Sequence, residues 1–250
     1  MTVSIDTQGP VYIVSIDRPE KRNAVDPATA ILLRGAFTAF EADDALRVAI
    51  LTGSGSSFCA GFDLSAVGST LYDPDGPGPM GPTRMLTTKP VIAAVEGHAV
   101  AGGLELALWC DLRVASATAI FGVFCRRWGV PLIDGGTVRL PRIVGQGRAL
   151  DMILTGRPVG ADEALAMGLA NRVVPEGQAL SAAVALAQGI AVFPQLCMTT
   201  DRASAYRQWD SDIAEALLFE AREGAAPLRA EAANGARRFT EGAGRKGSFE

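Results

Sequence analysis

Two runs, VAILTG (Val48–Gly53) and VIAAVEG (Val91–Gly97), are almost wholly apolar, too short for helices, and closed by glycine. Runs of that length and composition are strands with little exposed face. Each leads to a glycine turn and then a helical pattern, at FCAGFDL and at AVAGGLELAL. Alternation of this kind restricts the chain to an α/β core, a sheet carrying helices.

The remainder is consistent with that class. Val3, Ile5, Val11, Ile13 and Ile16 alternate around Gln8-Gly9-Pro10, which predicts a β-hairpin. Asp26-Pro27 supplies an N-cap and a first-turn proline, and a helix is expected to about Glu41, with Leu33, Phe37 and Phe40 at helical spacing. A further strand is expected around Leu112–Ala115. The Gly/Pro-rich stretch VGSTLYDPDGPGPMGP (Val67–Pro82) reads as a lid or a rim loop. From about Thr137 onward the pattern is mostly helical, with Ala-rich periodic runs from Gln178 to Arg238. No internal repeat and no linker is visible.

Charge and cysteine content narrow the chemistry. The net charge is −4 and the 23 Lys and Arg residues are scattered, so no basic stripe tracks a phosphate backbone. The N-terminus lacks a basic start followed by an apolar run, and no uncharged apolar window reaches the roughly 18 residues of a membrane span. Cys59, Cys110, Cys125 and Cys197 form no CxxC pair, and with one histidine no metal site is expected. The expectation is a cytoplasmic protein with reduced thiols. GSGSSF lacks the third glycine of a dinucleotide fingerprint, and neither GxSxG nor a P-loop occurs.

Two features point to a site. The glycine turns either are tight turns alone or aim unpaired helix-start N–H groups at a carbonyl that is becoming an anion. Glu105 lies inside VEGHAVAGGLELALWCD (Val95–Asp111), where an unpartnered carboxylate would be costly. His98, just before the glycine turn, is expected to be a packed residue.

RPEKRNAV (Arg18–Val25), FCAGFDL (Phe58–Leu64), VEGHAVAGGLELALWCDLRVAS (Val95–Ser116) and FGVFCRRWGVPLIDGGTVRLPRIVG (Phe121–Gly145) follow one another in that order. Together with ILTGRPVGADEALAMGLANRVVP and GARRF they resemble the crotonase, or enoyl-CoA hydratase/isomerase, superfamily over nearly the whole chain. The resemblance implies a spiral core of β-β-α turns over residues 1–175. Residues 176–250 would be a helical region for trimerisation, or pairing of trimers, and for pocket closure. The implied ligand is an acyl thioester of coenzyme A, with no cofactor beyond the coenzyme A of the substrate.

By position in the family motifs, Phe62 and Gly102 would be the oxyanion N–H donors and Glu105 would grip the attacking water. Arg18, Lys21 and Arg22 would lie near the coenzyme A phosphates, with Ala24 giving a backbone contact and Ala60 near the adenine. Asp63, beside them, is expected to stabilise the turn. The position of the hydratases' second glutamate holds Cys125, whose thiol is a poor replacement for a carboxylic acid. Asp134 stands one residue beyond a position where several relatives carry a catalytic aspartate. Arg126, Arg127 and Trp128 would shape an acyl pocket, bind a substrate carboxylate, or form a solvated or inter-subunit face. The expected activity is enoyl-CoA hydration. The alternatives are isomerisation, hydrolysis or decarboxylation of an acyl-CoA, or thioester binding with reduced catalysis.

Overall fold

The computed structural model describes residues 1–68 and 73–244. The chain forms two units, Met1–Ala191 and Val192–Glu250. In the first, β1 (Val3–Gln8) and β2 (Val11–Ile16) form the predicted hairpin. Next comes α1 (Pro27–Ala42), where Asp26 caps the first turn by accepting from Thr29 N–H and Pro27 occupies a position that needs no donor. Leu33, Phe37 and Phe40 are fully buried, as their spacing predicts.

The continuing order is β3 (Val48–Gly53), β4 (Val91–Val95), β5 (His98–Val100), α2 (Gly102–Trp109), β6 (Leu112–Ser116) and β7 (Ile120–Gly122). Then follow α3 (Gly136–Val144), α4 (Gln146–Thr155), β8 (Val159–Gly160), α5 (Ala161–Ala166), β9 (Arg172–Val174) and α6 (Ala179–Ala191). A six-stranded sheet runs β1-β2-β3-β4-β6-β9, parallel except for the hairpin, and a second sheet runs β5-β7-β8. Successive turns of chain place one strand in each layer. β4 and β6 enter the large sheet, β5 and β7 the small one, and α2 and α3 follow them. Cys59, after β3, bridges Ala99 in the same way. These are the expected β-β-α spiral turns.

β3 and β4 are buried on both faces because helices cover both. Val48, Ile50, Ile92 and Ala94 pack with Ala179, Ala183, Ala187 and Ala191 of α6, where an alanine at every fourth position lets the helix sit close. Glu96 Oε1 accepts from Ala179 N–H at 2.9 Å, and Arg47 Nη1 donates to Ala191 O at 2.6 Å, fixing both ends of α6. The boundary expected at 175/176 therefore falls inside the first unit. The strands β8 and β9 lie in the stretch expected to be mostly helical, and β5 and β7 are not anticipated, since two or three residues carry no periodic signal. The second unit contains α7 (Gln195–Arg207), α8 (Ile213–Glu223) and a helical stretch over 225–240 with a π-wound turn at Leu228–Ala232. Among the described residues no single helix is long and apolar enough to cross a membrane.

α2 is buried on every side, and its first turn lies directly against the backbone of Cys59. A Cβ on Gly103 would fall 2.1 Å from Cys59 O, whereas one on Gly189 in α6 would meet nothing within 4 Å. Gly103→Ala is expected to destabilise by about 1–3 kcal/mol. Gly189→Ala is expected to stabilise by about 0.5–1 kcal/mol. Thermal unfolding of the two variants should shift in opposite directions.

Candidate active site

The two glycine turns meet. Val25 N–H donates to Gly61 O and Asp63 N–H donates to Val25 O, both at 2.8 Å, so Val25 pairs in parallel with Phe62. Successive N–H groups of an extended strand point to opposite sides, which turns the Phe62 N–H away from Val25. Gly102 begins α2, where the first N–H groups have no partner within the helix. Among the described residues neither N–H has a protein acceptor. A Cβ on Gly61 would lie 3.0 Å from Gly102 N, so the two backbones touch, and Phe62 and Gly102 line one cavity of about 1340 Å³. Ala101 aims this turn from φ 53°, a conformation that costs an alanine about 1–3 kcal/mol.

Glu105, on the first turn of α2, reaches the same cavity with only 3 % of its surface exposed. Its Oε1 accepts from Asp134 N–H at 2.9 Å and Gly136 N–H at 2.8 Å. Burial, and then the negative charge of Asp134, push its carboxyl up to about 7, against the pull of those two N–H groups and of Arg139. The partner expected for this buried carboxylate is thus a pair of main-chain donors. A Cβ at Gly136 would come within 2.9 Å of Oε1, so glycine is required there for the carboxylate to keep its place.

Asp134 also lines the cavity and is equally buried. Its Oδ1 accepts from Met80 N–H at 3.0 Å and from the Thr83 hydroxyl. Burial raises its carboxyl, opposed by these bonds and by Arg84 and Arg139. Cys125 faces the cavity from the short 3-10 turn Phe124–Trp128. Burial, followed by the charge of Glu105, raises its thiol above the ordinary value. Arg126 donates to Ile153 O, and Arg127 donates to Gly156 O while stacking over Phe124. Those bonds tie the turn to α4 and the chain just after it. Arg127 and the largely exposed Trp128 line the cavity, as does half-buried His98.

The 18–25 loop differs from expectation at Arg18 and Ala24. Arg18 is not a free cation: its Nη2 lies 3.1 Å from both Asp26 Oδ2 and Asp63 Oδ2, and its Nη1 donates to Ala24 O. Ala24 N–H donates to Lys21 O, so both main-chain groups of Ala24 are bonded inside the loop. Asp63 accepts from Ser65 N–H and hydroxyl, which holds the turn as expected. Lys21 and Arg22 are exposed, and Arg22 and Ala60 line the cavity. Part of the predicted rim loop, 69–72, lies outside the described residues. Its later part is a wall, with Met80 and, just past its end, Thr83 each only 1 % exposed. Met80, Thr83, Gly136 and Arg139 were not read from the sequence as site residues. The only hint was the density of glycine in GPGPMGP and IDGG. Among the described residues no cluster of three or more His, Cys, Asp or Glu is placed to hold a metal.

The family profile described as enoyl-CoA hydratase/isomerase matches residues 6–249. Enoyl-CoA hydratase EchA19 of Mycobacterium tuberculosis is 40 % identical over 198 residues, covering 74 % of this chain and 73 % of that protein. Mevalonyl-coenzyme A hydratase sidH of Aspergillus fumigatus is 39 % identical over 186 residues, covering 72 % and 68 %. The crystal structure of enoyl-CoA hydratase EchA1 from Mycobacterium marinum superposes with a TM-score of 0.91 at 34 % identity, covering 96 % of each chain.

The raised Glu105 carboxyl links stability to pH. Its folded value of about 7 exceeds the ordinary 4.5, so between them the folded state holds the extra proton. Stability from this group is complete below pH 4.5 and is lost as pH rises through 7. The loss is about 3 kcal/mol. Glu105→Gln keeps an acceptor for both N–H groups and removes the titration. The difference in unfolding free energy between variant and wild type, followed by urea denaturation from pH 4.5 to 8.5, should grow in favour of the variant as pH rises.

Proposed function

The chain belongs to the enoyl-CoA hydratase/isomerase family and has the crotonase fold, and from that premise we propose that it adds water across the double bond of a 2-enoyl-CoA. The observation that carries this reading is the meeting of two unpartnered N–H groups, on Phe62 and Gly102, with a buried carboxylate in one cavity. The thioester oxygen would accept from both N–H groups and gather negative charge as water attacks. Each such donor contributes roughly 10²–10³ in rate. Glu105, poised at about 7, takes a proton from the attacking water and is acidic enough to return one to the enolate carbon. Enoyl-CoA hydratase is also what EchA19 and EchA1 are named.

The rest of the reading follows from the same premise. Lys21 and Arg22 are the exposed cations for the coenzyme A phosphates, with Ala60 beside the adenine; Arg18 and Asp63 support that loop from within. The reaction asks for no cofactor beyond the coenzyme A of the substrate. The protein would work in the cytoplasm, in keeping with its free cysteines, as a homotrimer or a pair of trimers. Exposed Leu217, Leu218, Leu228 and Phe239 on the helices of the Val192–Glu250 unit are apolar surface suited to subunit contact. An acyl-CoA enzyme of this fold fits a role in fatty acid metabolism.

Turnover of crotonyl-CoA, followed by loss of the conjugated thioester absorbance, tests the proposal. Glu105→Gln is expected to lower kcat by about 10²–10⁴ while leaving thioester affinity within a few-fold. Undiminished turnover in that variant would remove Glu105 from the mechanism. Tight thioester binding with no hydration by the wild type would reassign the reaction to isomerisation, hydrolysis or decarboxylation.

A further inference from the structure

Asp134 is bonded to Glu105, to Met80 and Thr83, and to Arg139 through its N–H, its carboxylate and its carbonyl in turn. Its N–H donates to Glu105 Oε1 at 2.9 Å. Its carboxylate accepts from Met80 N–H and the Thr83 hydroxyl, 54 and 51 residues away in sequence. Its carbonyl accepts from Arg139 Nη1 at 3.0 Å, and Arg139 Nη2 donates to Thr83 O at 2.7 Å, which closes a ring of bonds. Met80 in turn packs on the start of α2: a Cβ on Gly102 would fall 2.6 Å from the Met80 sulfur. Gly78 completes the joint, since a Cβ there would lie 2.4 Å from Asp134 Oδ1. Arg84 braces the same wall by donating to Pro74 O and Gly76 O at 2.8 Å and to Ile133 O at 3.2 Å.

We propose that Asp134 is a positioning residue, not a proton carrier: it clasps the 78–84 wall through Met80 and Thr83 while its main chain holds Glu105. The wall, the Gly102 donor and the base thereby keep one geometry. This rests on the reading of the cavity as a thioester site. The clasp gives Thr83 a role as well, because its hydroxyl is the side-chain half of the joint. The carboxylate has a second effect through its charge. Glu105 is faced by Asp134, Arg139 and the neutral Cys125, and Asp134 by Arg84 and Arg139. Removing the Asp134 charge leaves the cation as the dominant neighbour of Glu105.

Asp134→Asn keeps an oxygen acceptor for Met80 and Thr83 but carries no charge and no basic oxygen. For this variant kcat should fall less than about tenfold, and the limb of the kcat/KM pH profile set by Glu105 should move to lower pH. Thr83→Val removes the hydroxyl and should raise KM about tenfold, more than it lowers kcat, with Thr83→Ser restoring it. Hydrogen exchange at the Met80 amide, read without any substrate, should stay slow in Asp134→Asn and become fast in Asp134→Ala. A loss of about 10²–10⁴ in kcat for Asp134→Asn would make Asp134 a proton-transfer group and overturn the positioning role. Unchanged Met80 exchange in Asp134→Ala would overturn the clasp itself. Calorimetric binding of butyryl-CoA to the wild type separates the two levels. Absent binding would defeat the thioester reading, while the Met80 exchange would still decide the clasp.

Discussion

The contact between the first turn of α2 and the backbone at Cys59–Gly61 organises this molecule. It exists only because residues 61 and 103 are glycine; a Cβ on Gly103 would penetrate the Cys59 carbonyl, and one on Gly61 would press on Ala101 and Gly102. That approach joins the layers, since Cys59 bridges Ala99 in the small sheet while the chain just before α2 belongs to β5. It also leaves two N–H groups, on Phe62 and Gly102, opening onto one cavity. The same close packing therefore builds the fold and forms the electrostatic element that a developing oxyanion requires. The strained Ala101 is part of the arrangement, held by its N–H bond to Gly122 O at 2.9 Å.

Around this contact the site handles a second constraint, two carboxylates in low-dielectric surroundings. Neither Glu105 nor Asp134 forms an ion pair among the described residues. Each has one oxygen satisfied by two hydrogen-bond donors, with Arg139 near enough to both to oppose the effect of burial. Main-chain donors hold the Glu105 carboxylate in place without neutralising it. A lysine or arginine paired directly with Glu105 would have lowered its carboxyl well below neutrality and removed its ability to return a proton. Here burial, and then the like charge of Asp134, raise the value to about 7 against the two N–H dipoles and Arg139.

What the sequence makes legible divides along physical lines. The strands β3 and β4 and helix α1 are readable because each is long enough for burial to imprint a period or a run, and because Asp26-Pro27 is a local capping signal. The spiral repeat is invisible as a repeat, since the strands β5, β7 and β8 are two or three residues long and are specified by their partners. Glu105 is legible because a carboxylate in an apolar stretch needs a reason. Its partners are not, because Asp134 and Gly136 stand 29 and 31 positions away and contribute only main-chain N–H groups. Arg18 shows the converse. A cation in an exposed-looking turn reads as available, and nothing local reveals that Asp63, 45 positions on, occupies it. Main-chain donors and long-range ion pairs are the two kinds of information that residue types alone do not carry.

Cys125 then acquires a physical meaning that its identity alone does not give. Its thiol lies in the same cavity as the two carboxylates, and the charge of Glu105 helps keep it protonated. A carboxylate at 125 would add a third acidic group to a cavity where like charge already raises Glu105, and would carry that value further from its ordinary range. With a neutral thiol there, the titration of Glu105 is governed by burial, Asp134 and Arg139. One carboxyl near neutrality can both accept a proton from water and deliver one to carbon within a single turnover. The thiol and Asp134 thus act differently on one carboxyl: the thiol adds no further negative charge beside Glu105, while the Asp134 charge adds to the effect of burial in raising it.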